Sequence, residues 1–211
     1  MFYILDLLIG TVSGIVAVLP LMIPFHYATL KKSKPNNKRA KFIYVFASYI
    51  FFAALFAILT ATGIYDIYSL QTYLNFNFVP FSDIFTNYKQ YILNIILFIP
   101  FGFLLPMQWN NFKKKRCTFI AGLMLSLFIE IMQIFSLRAT DIDDLLMNTL
   151  GTIAGYYLFI LARRFFPKIS VFSDGTINRC KWEPYIYIIF ALLVMLFVQP
   201  FIAGWIWGLI L

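Results

Sequence analysis

Seven residues in an otherwise oily chain are of a type and spacing that could do chemistry: Asn94, Glu130, Gln133, Arg138, Asp141, Asp144 and Asn148. Six of them fall in one stretch, Glu130-x-x-Gln133-x(4)-Arg138-x-x-Asp141-x-x-Asp144-x(3)-Asn148, which continues at helical spacing into Gly151 and Gly155. A charged side chain at bilayer depth costs roughly 2.5–3.5 kcal/mol on insertion scales unless it is paired or faces water, so such a group is a functional-site hypothesis. Glu130 and Asp141 could divide acid and base roles if their surroundings split their proton affinities. Carboxylates beside an amide could hold a divalent cation through oxygen ligands. The same group could also hold a ligand's polar head with no bond broken. The chain has one histidine, no Ser–His or Cys–His pair, no His-Glu-x-x-His zinc motif and no phosphate-cradling glycine loop. No cofactor and no dedicated metal site are therefore expected, and catalytic residues cannot be named.

The elements that must position these residues are membrane helices. Of 211 residues, 62% are hydrophobic and only 12% charged, with a mean hydropathy of +0.82; a soluble domain carries roughly 25% charge. Six apolar runs near 4–30, 42–65, 90–109, 117–137, 144–162 and 185–210 approach or reach spanning length. The predicted class is an all-α, polytopic membrane helix bundle of about six transmembrane helices. The net charge of +8 does not indicate nucleic acid, because the charges lie in short blocks between the runs rather than on a face with stacking aromatics.

Those blocks set the orientation. Of the 17 basic residues, all but Lys89 and Arg138 fall in alternate loops, between runs one and two, three and four, and five and six. The positive-inside rule makes these loops cytoplasmic and both termini extracellular. Asp6, Asp66, Asp83, Glu130, Asp141, Asp143 and Asp144 fall on the outer side, leaving Asp174 and Glu183 inside. The first run, lacking a preceding basic segment, is expected to remain as a helix rather than be cleaved as a signal. Pro20 and Pro24 suggest a kink there, and the lone His26 is expected to be incidental. Cys117 and Cys180, both inside, are expected to form no disulfide. The aromatic stretch from Asn75 to Asp83 is expected to rest at headgroup level.

Helical spacing sorts the polar residues onto faces. Asn94, Phe98 and Gly102 share one face of run three, and Gly122, Ser126, Glu130 and Gln133 share one of run four. In run five the steps from Asp141 to Asp144, Asn148, Gly151 and Gly155 alternate three and four, giving a seam that is polar above and small below. Gly102, Gly151 and Gly155 are the helix-packing candidates. Asp143 points away from this seam and is expected to be solvated. Three polar upper faces are then directed at one point in the outer leaflet.

These residues resemble the VanZ-like family of bacterial membrane proteins over roughly residues 40–165. The resemblance rests on Asn77-Phe78-Val79-Pro80-Phe81, similar to the family's Asn-Leu-Ile-Pro-Phe, and on Asn94 with Phe98-Ile-Pro-Phe-Gly102. It continues through Glu130-x-x-Gln133, Arg138-x-x-Asp141-x-x-Asp144 and Asn148-x-x-Gly151-x(3)-Gly155. It implies a core of four transmembrane helices at 42–165. Residues 1–41 then add an N-terminal helix and basic cytoplasmic loop, and 166–211 a cytoplasmic loop and a C-terminal helix. It also implies a Gram-positive envelope protein linked to resistance to teicoplanin, a lipid-tailed glycopeptide.

The function expected is therefore a non-enzymatic membrane protein with an outer-leaflet polar site. Its expected partners are membrane lipids, a lipid-linked cell-wall precursor or the lipoglycopeptide itself, with no nucleic acid and no oligomeric state specified. The alternative is an intramembrane enzyme modifying an envelope lipid by carboxylate acid/base or metal-assisted chemistry. An ion-coupled transporter fits less well, since no acid continues the route inward and no matching interrupted helices suggest inverted repeats. A purely structural role, with Arg138 neutralising Glu130 and Asp141, stands beside these readings.

Overall fold

The computed structural model describes residues 2–33, 38–64, 76–77, 80–81, 87–134, 140–167 and 180–210. Its elements are α1 (Phe2–Ser33), α2 (Lys38–Ala61), β1 (Phe76–Asn77), α3 (Tyr88–Gln108), α4 (Lys115–Gln133), β2 (Thr140–Asp141), α5 (Ile142–Phe165), α6 (Glu183–Phe197) and α7 (Gln199–Ile210). The chain is an all-α, polytopic membrane protein; α1 to α5 are each long and apolar enough to cross a bilayer. Large apolar side chains such as Leu93, Ile96, Met124 and Leu161 are more than half exposed, while Ser126, Asn148 and Thr152 are buried. That polarity suits a surface that meets lipid rather than water.

The sixth run is not one straight span. α6 and α7 meet at a 52° bend. At 15 residues, α6 rises only about 22 Å, short of the ~30 Å hydrocarbon core. Pro200 supplies the cause, since its ring lacks an N–H for the Leu196 carbonyl and crowds that turn. Pro20 and Pro24, by contrast, lie within an α1 that stays helical over 32 residues.

The chain divides into two compact units, Met1–Ala61 with Ser170–Leu211, and Thr62–Ile169. In the first, Gly10 and Gly14 bring α1 against the Thr60 side chain and the Phe56 ring of α2. A buried polar clamp then joins α1, α2 and α6. Glu183, fully buried, accepts from the hydroxyls of Tyr44 and Tyr187 at 2.8 Å each. The Tyr187 hydroxyl also lies 3.0 Å from Ser48 Oγ and 3.1 Å from His26 Nε2. His26 is thus not incidental. It is 4% exposed, and its ring meets those of Tyr44 and Tyr49 edge-on. Gln199, beside the bend, donates to Ser13 Oγ at 3.2 Å.

In the second unit α5 packs against both α3 and α4. α3 and α5 run parallel: Asn94 meets Asp144 at one end, and Phe103 meets Phe159 toward the other. Their backbones come so close that a Cβ on Gly102, Gly151 or Gly155 would strike the carbonyl of Thr152, Ile95 or Ile99. α4 runs antiparallel to α5, with Ser126 on Asn148 and Gly122 under the Thr152 side chain. At the end away from Asp144, the Tyr156 hydroxyl donates to the Lys113 carbonyl at 2.9 Å and Lys115 Nζ donates to Tyr157 at 2.7 Å. Cys117 and Cys180 are both free thiols.

Candidate functional site

The carboxylates gather where α4 ends and α3 and α5 begin. Asp141 lies just outside α5, in extended conformation, and its side chain accepts from the Asp143 N–H as the helix N-cap. Such a cap satisfies one of the four backbone donors orphaned at a helix start. The Asp141 N–H in turn donates to Glu130 Oε2 at 3.1 Å, tying the last turn of α4 to the entry of α5. β2 pairs in parallel with β1, placing Phe76 opposite Thr140 and Asn77 opposite Asp141.

Asp144 faces α3. It accepts from Asn94 Nδ2 at 2.6 Å and from Gln90 Nε2 at 3.2 and 3.3 Å. Asp143 and Asp144 both lie in the first turn of α5, where the helix dipole favours negative charge. The Asp141 N–H on Glu130 and the Asp141 cap on α5 bring the three carboxylates to one helix junction. Glu130 is 4% exposed, while Asp144 and Asn94 are only half-buried.

One turn deeper, Asn148 donates to Ser126 Oγ at 3.0 Å and its carbonyl accepts from Thr152 Oγ1. Asn148 Oδ1 is buried with no hydrogen-bond partner among the described residues. Gln133 donates to the Thr62 carbonyl at 3.0 Å. The structure thus brings Asn94, Glu130, Asp141 and Asp144 together and sets Asn148 beneath them. Arg138 and most of the Asn75–Asp83 stretch lie outside the described residues. Among those described, no three histidines, cysteines or carboxylates converge in a way that could hold a metal ion.

Asp143 overturns the expectation of a solvated side chain. It is fully buried; its two oxygens accept from the Phe81 N–H, each at 2.9 Å, and Oδ2 accepts from the Tyr91 hydroxyl at 2.7 Å. Asp141, the first residue of the predicted seam, is extended and lies outside α5. With α3 and α4 on two sides of α5, a second row, Asp143, Met147 and Gly151, is buried as well. Gln90 was also legible: it precedes Asn94 by four residues and extends that face of α3 by one turn. Glu183 and Tyr187, like Tyr44 and Ser48, show the same four-residue spacing, which marks a polar face on each helix but not that the two faces meet.

A family model described as VanZ/LLP1 matches residues 42–163, from α2 through α5. Among curated proteins the chain is similar to "Protein VanZ" of Enterococcus faecium, 39% identical over 107 residues, which is 47% of this chain. The similarity spans 63% of that relative, less than two thirds of its length. No solved structure matches.

Proposed function

The chain belongs to the VanZ/LLP1 family, and on that premise we propose that it is a cell-membrane protein that lowers susceptibility to lipid-tailed glycopeptides of the teicoplanin class. It does so by engaging a lipid headgroup, a lipid-linked cell-wall precursor or the drug at Glu130, Asp141 and Asp144, with Asn94 orienting Asp144. Residues 42–165 are its core, and both termini face outward. The observation that carries this reading is the division of charge along the second unit. Glu130, Asp141 and Asp144 collect at one end, and Lys113 and Lys115 lie at the other, on Tyr156 and Tyr157. By the positive-inside rule the carboxylate end is the outer one.

The test is a resistance profile of cells carrying Glu130→Gln, Arg138→Ala, Asp141→Asn or Asp144→Asn, with membrane levels of the protein measured in parallel. Loss of teicoplanin resistance at normal protein level supports the reading, with vancomycin susceptibility moving less. Equal change for both drugs, or none, refutes it, and loss of the protein itself assigns these residues to folding. The enzyme reading draws on the same gathered carboxylates. Purified protein incubated with precursor lipids, with and without divalent metal, should leave them unaltered by mass spectrometry; an altered lipid would replace binding with catalysis.

A further inference from the structure

Phe81 is the one described non-glycine residue with positive φ, at 62°. Bulky residues rarely adopt that left-handed conformation, and glycine or asparagine is the ordinary occupant. The residue is held there by a buried group. Both oxygens of Asp143 accept from its N–H, and Tyr91 braces Asp143 from α3. Asp141 caps the Asp143 N–H, and β1 pairs its own backbone with that of Asp141. Yet the ring so held is 47% exposed. Glycine would serve the turn better and the ring does not fill the core, so the phenylalanine is explained by an apolar group that meets it from outside the protein.

Strain held by a buried network around an exposed side chain points to a task for that side chain. The ring stands on a residue bonded to Asp143, next in sequence to the half-buried Asp144 that α3 orients through Asn94. A site with carboxylates and amides on one side and an aromatic face on the other matches an amphiphile. Its head would donate hydrogen bonds or carry positive charge, and its apolar tail would lie on the ring. We propose that Phe81 is the tail contact of this site and that Asp143 is the positioning residue that presents it. This deepens, and rests on, the proposed engagement of a lipid-tailed ligand.

Full-length protein in phosphatidylcholine nanodiscs would be titrated with teicoplanin, with a polyprenyl-linked cell-wall precursor and with untailed vancomycin, and Kd measured by thermophoresis. The wild type should bind at least one tailed ligand more tightly than vancomycin, and which one identifies the source of the tail. Phe81→Gly should weaken the tailed ligand about tenfold, as expected for losing one aromatic contact, and leave vancomycin unchanged. Its Tm should stay level or rise, because glycine adopts this φ freely. Phe81→Trp should retain the preference. Asp143→Ala should speed hydrogen exchange at the Phe81 amide and reduce the preference, and Phe81→Gly with Asp143→Ala should fall no further than Phe81→Gly alone. A Phe81→Gly protein that keeps the tail preference, or loses Tm, overturns the role of the ring while leaving the proposed function standing. Wild-type protein that binds none of the three ligands overturns both.

Discussion

The close approach of α3 and α5 at Gly155 offers a sharp test. A methyl group added at Gly155 would stand 2.8 Å from Phe103 N and 3.0 Å from the Gly102 carbonyl carbon, and nearer still to the Ile99 carbonyl oxygen. Carbon atoms rest in contact at about 3.5–4.0 Å, so α3 and α5 would have to part by roughly 1 Å. The obstacle is backbone on a neighbouring helix, which cannot step aside as a flexible side chain can. Overpacking costs about 1–3 kcal/mol, and rigid backbone places Gly155→Ala at the upper end. Alanine regains about 1 kcal/mol of helix propensity, leaving a net loss of about 2 kcal/mol. Gly204 and Gly208 of α7 have nothing within 4 Å of an added Cβ, so alanine there should only gain, by up to about 1 kcal/mol. The gap of about 3 kcal/mol between Gly155→Ala and Gly204→Ala converts to roughly 6–12 °C for a chain of this size. Thermal unfolding of the purified protein followed by tryptophan fluorescence measures it directly. Equal melting of Gly155→Ala and Gly204→Ala would refute the close approach of α3 and α5.

Tyr187→Phe should destabilise the protein by about 2–4 kcal/mol, because one hydroxyl serves His26, Ser48 and Glu183 and each loses a buried bond; an unchanged Tm would remove the clamp from the stability of the first unit. Asn94→Leu should cost about 1–3 kcal/mol by depriving Asp144 of its 2.6 Å donor. Combined with Asp144→Leu, the loss should be less than the sum, and additivity in a double-mutant cycle would show the two do not interact. Cys180 is exposed and lies in a basic loop, so a membrane-impermeant maleimide should label it in inside-out vesicles and not in intact cells; the reverse would invert the topology. Pro200→Ala restores a donor for the Leu196 carbonyl, so spin labels placed on α6 and α7 should move apart as the 52° bend opens, and an unchanged distance would assign the bend to the packing of Gln199 on Ser13.

The readings that succeeded from sequence were those set by composition and period. Apolar length fixes that helices span. Four-residue spacing put Ser126 and Glu130 on one face of α4 and Asn94 and Phe98 on one face of α3; in the structure Ser126 meets Asn148 and Asn94 meets Asp144. Direction failed where the chain was not yet helical. Asp141 counted as the first residue of a seam although it is the cap outside it, and that shift hid Asp143. The partnership of His26 with Glu183 was hidden for another reason. They belong to segments more than 150 residues apart, and only packing of α6 against α1 and α2 reveals that one tyrosine joins them.

Sequence by itself therefore determined the medium, the number of apolar runs, the alternation of basic and acidic segments and the family's polar motif, because each depends on local composition summed along the chain. Tertiary structure decided which groups brace each carboxylate. Asp141 accepts from the Asp143 N–H through one oxygen, fully buried Asp143 serves Phe81 and Tyr91, and half-buried Asp144 is held by Asn94 and Gln90. That bracing rests on hydrogen-bond geometry across three helices and a turn, and no one-dimensional spacing contains it.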